Sequence, residues 1–276
     1  NTTFEVYSPN GAVIVDGAVI DGIKYELNIK HKKAQVLANN YKGNVVIPQM
    51  VSYKGNEFLI TSLGNNCFEG CSNLTNITLP EEITSLGSGC FRGCSSLSNI
   101  TFPEGITSLR ESCFEGCSSL TNITLPEKMT SIEKNCFIHC NKLASITLPA
   151  KIKFLGDGCF AYTGLTSINL PEGITSLSQD IFTGCSSLTD IWLPSTLTDI
   201  GGYIFGYGAK HRRRVVLNAA KIPSCYDGKF IDSNCTLYVP KEALSAYRST
   251  SPWSGACSIY GGKPISSIGL PSEVFL

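Results

Sequence analysis

Phenylalanine returns along this chain at a near-constant interval. Phe68, Phe91, Phe114, Phe137, Phe160, Phe182 and Phe205 are separated by 23, 23, 23, 23, 22 and 23 residues. Each opens a block such as Cys113 to Pro126, Cys-Phe-Glu-Gly-Cys-Ser-Ser-Leu-Thr-Asn-Ile-Thr-Leu-Pro. No unit this short can bury its own apolar face, so copies must stack and share one continuous core. A length of 276 residues would otherwise suggest one or two compact domains. A repeat array is quasi-one-dimensional and overrides that expectation.

The spacing Leu-x-x-Ile-x-Leu inside a period of this size predicts a leucine-rich-repeat solenoid. In the sample unit Leu120 to Leu143, Ile123 and Leu125 alternate with polar residues and predict a short strand. Pro126 ends it, because proline donates nothing to a ladder. Met129 and Ile132 are the next inward positions, on a second extended segment. Asn135 to Asn141, carrying Cys136, Phe137 and Cys140, is expected to form a turn of α or 3-10 helix. The fold class is therefore an α/β solenoid, a right-handed leucine-rich-repeat array of short strands and short helical or 3-10 turns. A β-hairpin should cap its start and a mixed unit its end.

The chain divides accordingly. Residues 1–62 form an N-terminal region and hairpin cap with a degenerate first repeat, and Val45 to Ile47 is its strand. The regular repeats span 63–209. A degenerate repeat and C-terminal cap span 210–263, with a strand at Thr236 to Val239, a short helix from Lys241 to Arg248, and Trp253 and Ile259 over the open end. Residues 264–276 read as a linker or the start of a further segment. The absence of Met at Asn1 points to a processed or truncated N-terminus. Repeat Phe160 to Leu165 lacks one residue, and a tight turn at Gly164 should absorb the loss.

Charge is balanced at 22 basic and 22 acidic residues. That gives no field favouring nucleic acid or an anionic membrane. No run of about 18 apolar residues, the length of a membrane span, is present. No signal-peptide pattern stands at the start.

Thirteen cysteines raise the question of chemistry. Cys-x-x-x-Cys recurs at 67/71, 90/94, 113/117 and 136/140, which invites metal ligation or a disulfide ladder. Packing explains the pattern better. The pairs keep the period of the Phe and Leu columns, and the first position later becomes Ile181 and Ile204. Free cysteine is among the most buried residue types. Stacked coils lie about 4.8 Å apart, whereas bridged Cβ atoms lie about 3.8 Å apart. His31, His139 and His211 follow no repeat and complete no zinc set. The cysteines are expected to be mostly reduced; Cys225, Cys235 and Cys257 stand outside the ladder, where a Cys225–Cys235 bridge across a loop is the alternative to free thiols.

The residue between the inward pair of each strand should face solvent. That column is Thr78, Thr101, Thr124, Thr147, Asn169 and Trp192, a candidate binding surface with Trp192 as anchor. Ordinary cross-strand threonine pairing is the simpler reading of the column, and a C-terminal cap over Trp192 is the alternative to an anchor. Lys210, Arg212, Arg213 and Arg214 are candidate anion contacts, or a solvated break in the array. No phosphate-loop, Gly-x-Ser-x-Gly or His-Glu-x-x-His motif occurs, so no catalytic residue, metal site or cofactor is assigned.

The cassette Cys-Phe-x-Gly-Cys-Ser-x-Leu-x-x-Ile-x-Leu-Pro resembles the repeat of BspA-like leucine-rich-repeat proteins, a bacterial surface family. Asp21 to Tyr25 with Tyr41 to Pro48 resembles that family's N-terminal cap. Thr236 to Pro240 with Tyr247 and Trp253 resembles its C-terminal cap. Cys67, Cys90, Cys113, Cys136 and Cys159 depart from the alanine common before the Phe. The resemblance implies secretion or display on the bacterial surface, and adhesion to a host extracellular protein, a bacterial partner or a glycan. The expected function is non-enzymatic binding through the solenoid surface. A structural spacer displaying another domain is the alternative. Capped ends point to a monomer.

Overall fold

The structure, a computed structural model, describes residues 4–7, 13–206, 212–226, 234–256 and 258–262. Strands β1 (Phe4–Tyr7), β2 (Val13–Ile20), β3 (Ile23–Asn28) and β4 (Lys33–Val36) form an antiparallel run. The Asp21-Gly22 turn has positive φ at both residues, 49° and 80°, the hairpin geometry that Asp-Gly favours. β2 lies where the sequence shows only weak patterning. A register shift between Asp16 and Ala18 interrupts its alternation, so the period of two is not visible in the residues.

Strands β5 (Gly43–Val46), β6 (Met50–Tyr53), β7 (Asn56–Leu63) and β8 (Leu74–Thr78) join this cap to the array. β6 and β7 form a second hairpin that turns at Lys54-Gly55, both with positive φ. β7 also pairs in parallel with β4 on one side and with Ser85–Leu86 on the other. It is at once a hairpin strand and the first rung of the solenoid. β5 pairs in parallel with β8, so the degenerate repeat stacks on the first regular one.

Each coil turns a corner after its proline, where the N–H three residues on donates back to the proline carbonyl. Ile83 to Pro80 at 3.2 Å and Met129 to Pro126 at 3.0 Å are examples. The donor residue is inward, and Ile83, Ile106, Met129, Ile152 and Ile174 are fully buried. The first extended side is regular at the ends of the array. In the middle coils it holds only the isolated bridge Thr101–Thr124. The second extended side carries short parallel ladders in separate groups, among them Ser108–Leu109, Ser131–Ile132 and Phe154–Leu155.

The compact side differs from expectation: it is a run of turns rather than helix. Its N–H groups alternate in direction. Cys67, Glu69 and Cys71 donate within their own coil, to Gly64, Asn66 and Phe68. Asn66, Phe68 and Gly70 donate to the next coil, to Ser88, Cys90 and Arg92. A helix directs every bond along its own axis, so this ladder between coils excludes one. The alternation requires positive φ two residues before and two after the Phe, as at Gly89 (61°) and Gly93 (73°).

In the second of these columns glycine stands at 70, 93, 116 and 184, but His139 (63°) and Tyr162 (56°) do not conform. A left-handed conformation costs a non-glycine residue roughly 1–2 kcal/mol. Glycine's larger unfolded-state entropy offsets part of that. His139→Gly is therefore expected to stabilise the protein by about 0.5–1 kcal/mol, read as a higher urea midpoint. The loss of its ring stacking on Tyr162, centroids 4.8 Å apart, is included in that balance.

The Phe column is the spine of the core. Successive rings from Phe68 to Phe205 stack with centroids 5.2 to 6.1 Å apart and interplanar angles of 20° or less. Tyr41 extends the stack into the cap, 4.7 Å from Phe68. Beside it run the cysteines. The first column, Cys67 to Cys159, is fully buried. In the second, Cys71 donates to the Asn39 carbonyl at 3.4 Å, and the later thiols donate to the Phe carbonyl of the preceding coil: Cys94 to Phe68 at 3.1 Å, Cys117 to Phe91 at 3.2 Å, Cys140 to Phe114 at 3.1 Å and Cys185 to Phe160 at 3.0 Å. In the coil that lacks a residue, Thr163 takes the cysteine's place and donates to the Phe160 carbonyl at 2.8 Å. Cys225 and Cys235 are separate thiols, the first on the second extended side and the second within Cys235–Val239, so the loop bridge does not form. Cys257 lies outside the described residues.

At the C-terminal end, Ser167–Asn169, Asp190–Leu193, Arg213–Leu217, Cys235–Val239 and Ser258–Gly261 form a parallel sheet. It runs one strand beyond the last one read from the sequence. Helix α1 (Leu244–Ser249) packs Tyr247 edge-on to Trp253, centroids 5.3 Å apart, and the Tyr247 hydroxyl donates to the Ala219 carbonyl at 2.9 Å. Both rings are buried, as is Ile259.

Candidate binding surface

The expected outward column exists. Thr78, Thr101, Thr124, Thr147 and Asn169 are exposed on the first extended side. Trp192 holds the next register position, paired with Asn169 on one side and Val216 on the other. It is nevertheless only 8 % exposed, and its indole Nε1–H has no partner. The indole is therefore withdrawn from solvent, unlike the threonines it follows.

The basic segment is split rather than gathered. Arg214 Nε donates to Asp190 Oδ1 at 2.5 Å across one rung, and this carboxylate raises the Arg214 pKa further. Arg213 is 2 % exposed; its guanidinium lies 4.7 Å from the Phe205 ring centroid and closes the Phe stack, with Nε and Nη1 unpartnered. Arg212 is exposed, and Lys210 lies outside the described residues. Neighbours in sequence thus face different surroundings, because successive strand residues point to opposite faces.

The second extended side carries a row that reading for apolar columns overlooks. Before the inner residue of most rungs, a Leu or Ile and finally Cys225, stands a serine: Ser62, Ser85, Ser108, Ser131, Ser176 and Ser224 are six of its members. Phe154 and Asp199 are the exceptions. Phe154 is 49 % exposed, an apolar ring standing in a hydroxyl row.

Three cavities follow this row. One, of about 440 Å³, is lined by Glu111, Ser131, Glu133, Lys134, Phe154, Gly156, Asp157 and Ser178. The next, of about 760 Å³, shares Asp157 and is lined further by Gln179, Asp199, Ser224, Cys225 and Tyr226. The third, of about 340 Å³, shares Asp199 and Ser224 and reaches Lys221. Together they make a groove along the solenoid axis. Asp199 Oδ1 accepts from Ser224 at 2.5 Å and Oδ2 from Thr198 at 2.7 Å; these bonds hold its carboxyl below the usual carboxylate range. Glu133 Oε2 accepts the Glu111 N–H at 3.3 Å. Asp157, half-buried between the two larger cavities, accepts the Asn135 N–H with its backbone carbonyl at 2.9 Å, but its carboxylate has no hydrogen bond or ion pair among the described residues.

Among the described residues, no three His, Cys, Asp or Glu side chains converge on a metal position, and no helix is long and apolar enough to cross a membrane. The thiols are core groups. Burial pushes Cys94 and Cys140 up to about 12 and raises Cys90, Cys117, Cys136 and Cys159 well above the ordinary thiol value. A thiol so protonated is a poor nucleophile and a poor metal ligand.

This architecture is shared with solved proteins. A leucine-rich repeat protein from T. pallidum is 27% identical over 68% of this chain and 87% of that chain, with a TM-score of 0.60. One from Bacteroides ovatus is 23% identical over 88% of this chain and 76% of that chain, with a TM-score of 0.65, a likeness of fold. A comparison with curated proteins returns no match. The model of the BspA type leucine-rich repeat region matches residues 61–189 and 110–235 in 6 copies. Those stretches contain the stacked Phe, the thiol columns and the proline corners, and by them the chain belongs to the BspA-type leucine-rich repeat family.

Proposed function

We propose that the protein is a non-enzymatic binding or adhesion module of the extracellular space or bacterial cell surface, taking a protein or glycan ligand through its solenoid surface. One observation carries this reading. The polar side chains Thr78, Thr101, Thr124, Thr147 and Asn169 stand exposed in one row on a core locked by stacked rings. Their rung spacing of about 4.8 Å presents repeated contacts whose ordering entropy is already lost on folding, which favours multipoint recognition. The family supports the same setting.

An array of extracellular-matrix proteins, bacterial surface preparations and glycans tests this with the whole chain. The expected result is selective capture of one class, weakened at least about tenfold, or roughly 1.4 kcal/mol, by the double substitution Thr101→Arg and Thr124→Arg. Capture that ignores this pair moves the site off the threonine row. No selective capture on any panel leaves a display spacer instead.

A further inference from the structure

We propose that the groove on the second extended side binds an extended cationic peptide, seating a Lys or Arg side chain between Phe154 and Asp157. This deepens the binding reading above and rests on it. The first support is a broken row. Serine stands on both sides of Phe154, at 131 and 176, and a half-exposed aromatic ring gains nothing for the core by interrupting them.

The second support is charge. The groove is lined by the carboxylates of Glu111, Glu133, Asp157 and Asp199 against the ammonium groups of Lys134 and Lys221. The carboxylates of Asp199 and Glu133 already accept bonds from within the protein, whereas the Asp157 carboxylate is uncommitted and lies on the wall shared by the two larger cavities. A half-buried carboxylate beside an aromatic face suits a guanidinium or ammonium group, which gains from both ring and charge.

Length agrees. Tyr226, 93 % exposed, marks the far end of the larger cavity, three coils beyond Phe154. Three rungs span about 14 Å, and residues i and i+4 of an extended peptide are also about 14 Å apart. A five-residue strand lying along the axis would set its end side chains on the two rings, with its middle over Asp157 and Asp199.

Fluorescence polarisation with the intact protein decides the matter, using labelled Lys-Ala-Lys-Ala-Lys, Glu-Ala-Glu-Ala-Glu and cellohexaose. The lysine peptide alone should bind, and Phe154→Ser and Asp157→Asn should each weaken it about five- to tenfold. Raising the salt from about 0.05 to 0.3 M should weaken it further, as screening requires. Serine is the row's own residue, so Phe154→Ser should fold normally, checked by circular dichroism. Equal binding of both peptides, lysine-peptide binding that survives both substitutions, or binding of cellohexaose alone would each overturn the assignment. A selective ligand from the array whose capture ignores both substitutions sinks only the groove. An array without selective ligands sinks the binding reading itself.

Discussion

Raising the pH from 8 to about 10.5 is expected to unfold this protein in one steep transition. The cause is the thiol ladder. In the unfolded chain a cysteine ionises near pH 8.5. In the fold, burial raises Cys90, Cys94, Cys113, Cys117, Cys136, Cys140, Cys159 and Cys185 above that value, Cys94 and Cys140 to about 12. The sign follows from proton counts. Above about pH 8.5 the unfolded state holds fewer protons than the native state, so stability falls as pH rises. It is present in full below the unfolded pKa and lost towards about 12.

Each protected thiol contributes a limiting slope of about 1.4 kcal/mol per pH unit. Eight acting together approach about 11 kcal/mol per pH unit, comparable with the roughly 5–15 kcal/mol that holds an ordinary domain folded. Ionisation also removes the S–H donors to the Phe carbonyls, so no partial titration inside the fold is favoured. Thiolate absorbance near 240 nm and far-ultraviolet circular dichroism, followed together under reducing conditions, check the claim. The two signals should move as one. A smooth thiolate titration centred near pH 8.5–9 with unchanged dichroism would show that the thiols are accessible and the ladder reading wrong.

Truncating one ring in the middle of the stack is the second large effect. Phe114 is fully buried, stacked on Phe91 at 5.2 Å and on Phe137 at 5.5 Å, with Phe102 edge-on at 5.8 Å. A buried Phe→Ala costs about 3–5 kcal/mol through lost transfer energy and the cavity left behind. The two broken stacking contacts place Phe114→Ala near the upper end, at about 4–5 kcal/mol. Neighbouring coils cannot close the gap, because their backbones are tied rung to rung by the Phe91 N–H to Cys113 carbonyl bond at 2.8 Å and the Phe114 N–H to Cys136 carbonyl bond at 2.8 Å. The urea midpoint should fall accordingly. Phe154→Ser, at an exposed ring of the same residue type, should change stability by no more than about 0.5 kcal/mol. Similar losses for both would mean that the stack is not the spine of the fold.

Much of this was legible in the residues because it is periodic. The Phe, Leu, Ile and Cys columns are inward in the structure where the 23-residue repeat places them. The second hairpin, the proline corners and the short helix near Leu244 follow from local chemistry. The compact side is not legible in the same way. Asn135 to Asn141 has the composition of a helical turn, but every second N–H bonds to the next coil, and no local pattern encodes a partner 22 residues away. The candidate surface is harder still. Serine and threonine rows look like filler until their register shows that Phe154 interrupts one of them and that cavities lie beside it.

The sequence by itself determined the solenoid, its inner columns and the structural nature of its cysteines, because a repeated apolar spacing has one economical way to leave water. Tertiary structure alone decided which polar positions form a surface. Trp192 and Arg213 read as exposed yet are buried, while Asp157, which no sequence pattern singles out, holds an uncommitted carboxylate between two cavities. The physical reason is that burial of a single side chain depends on neighbours brought in from other coils. A one-dimensional period fixes which residues turn inward, and only stacking in three dimensions fixes what lies beside those that turn out.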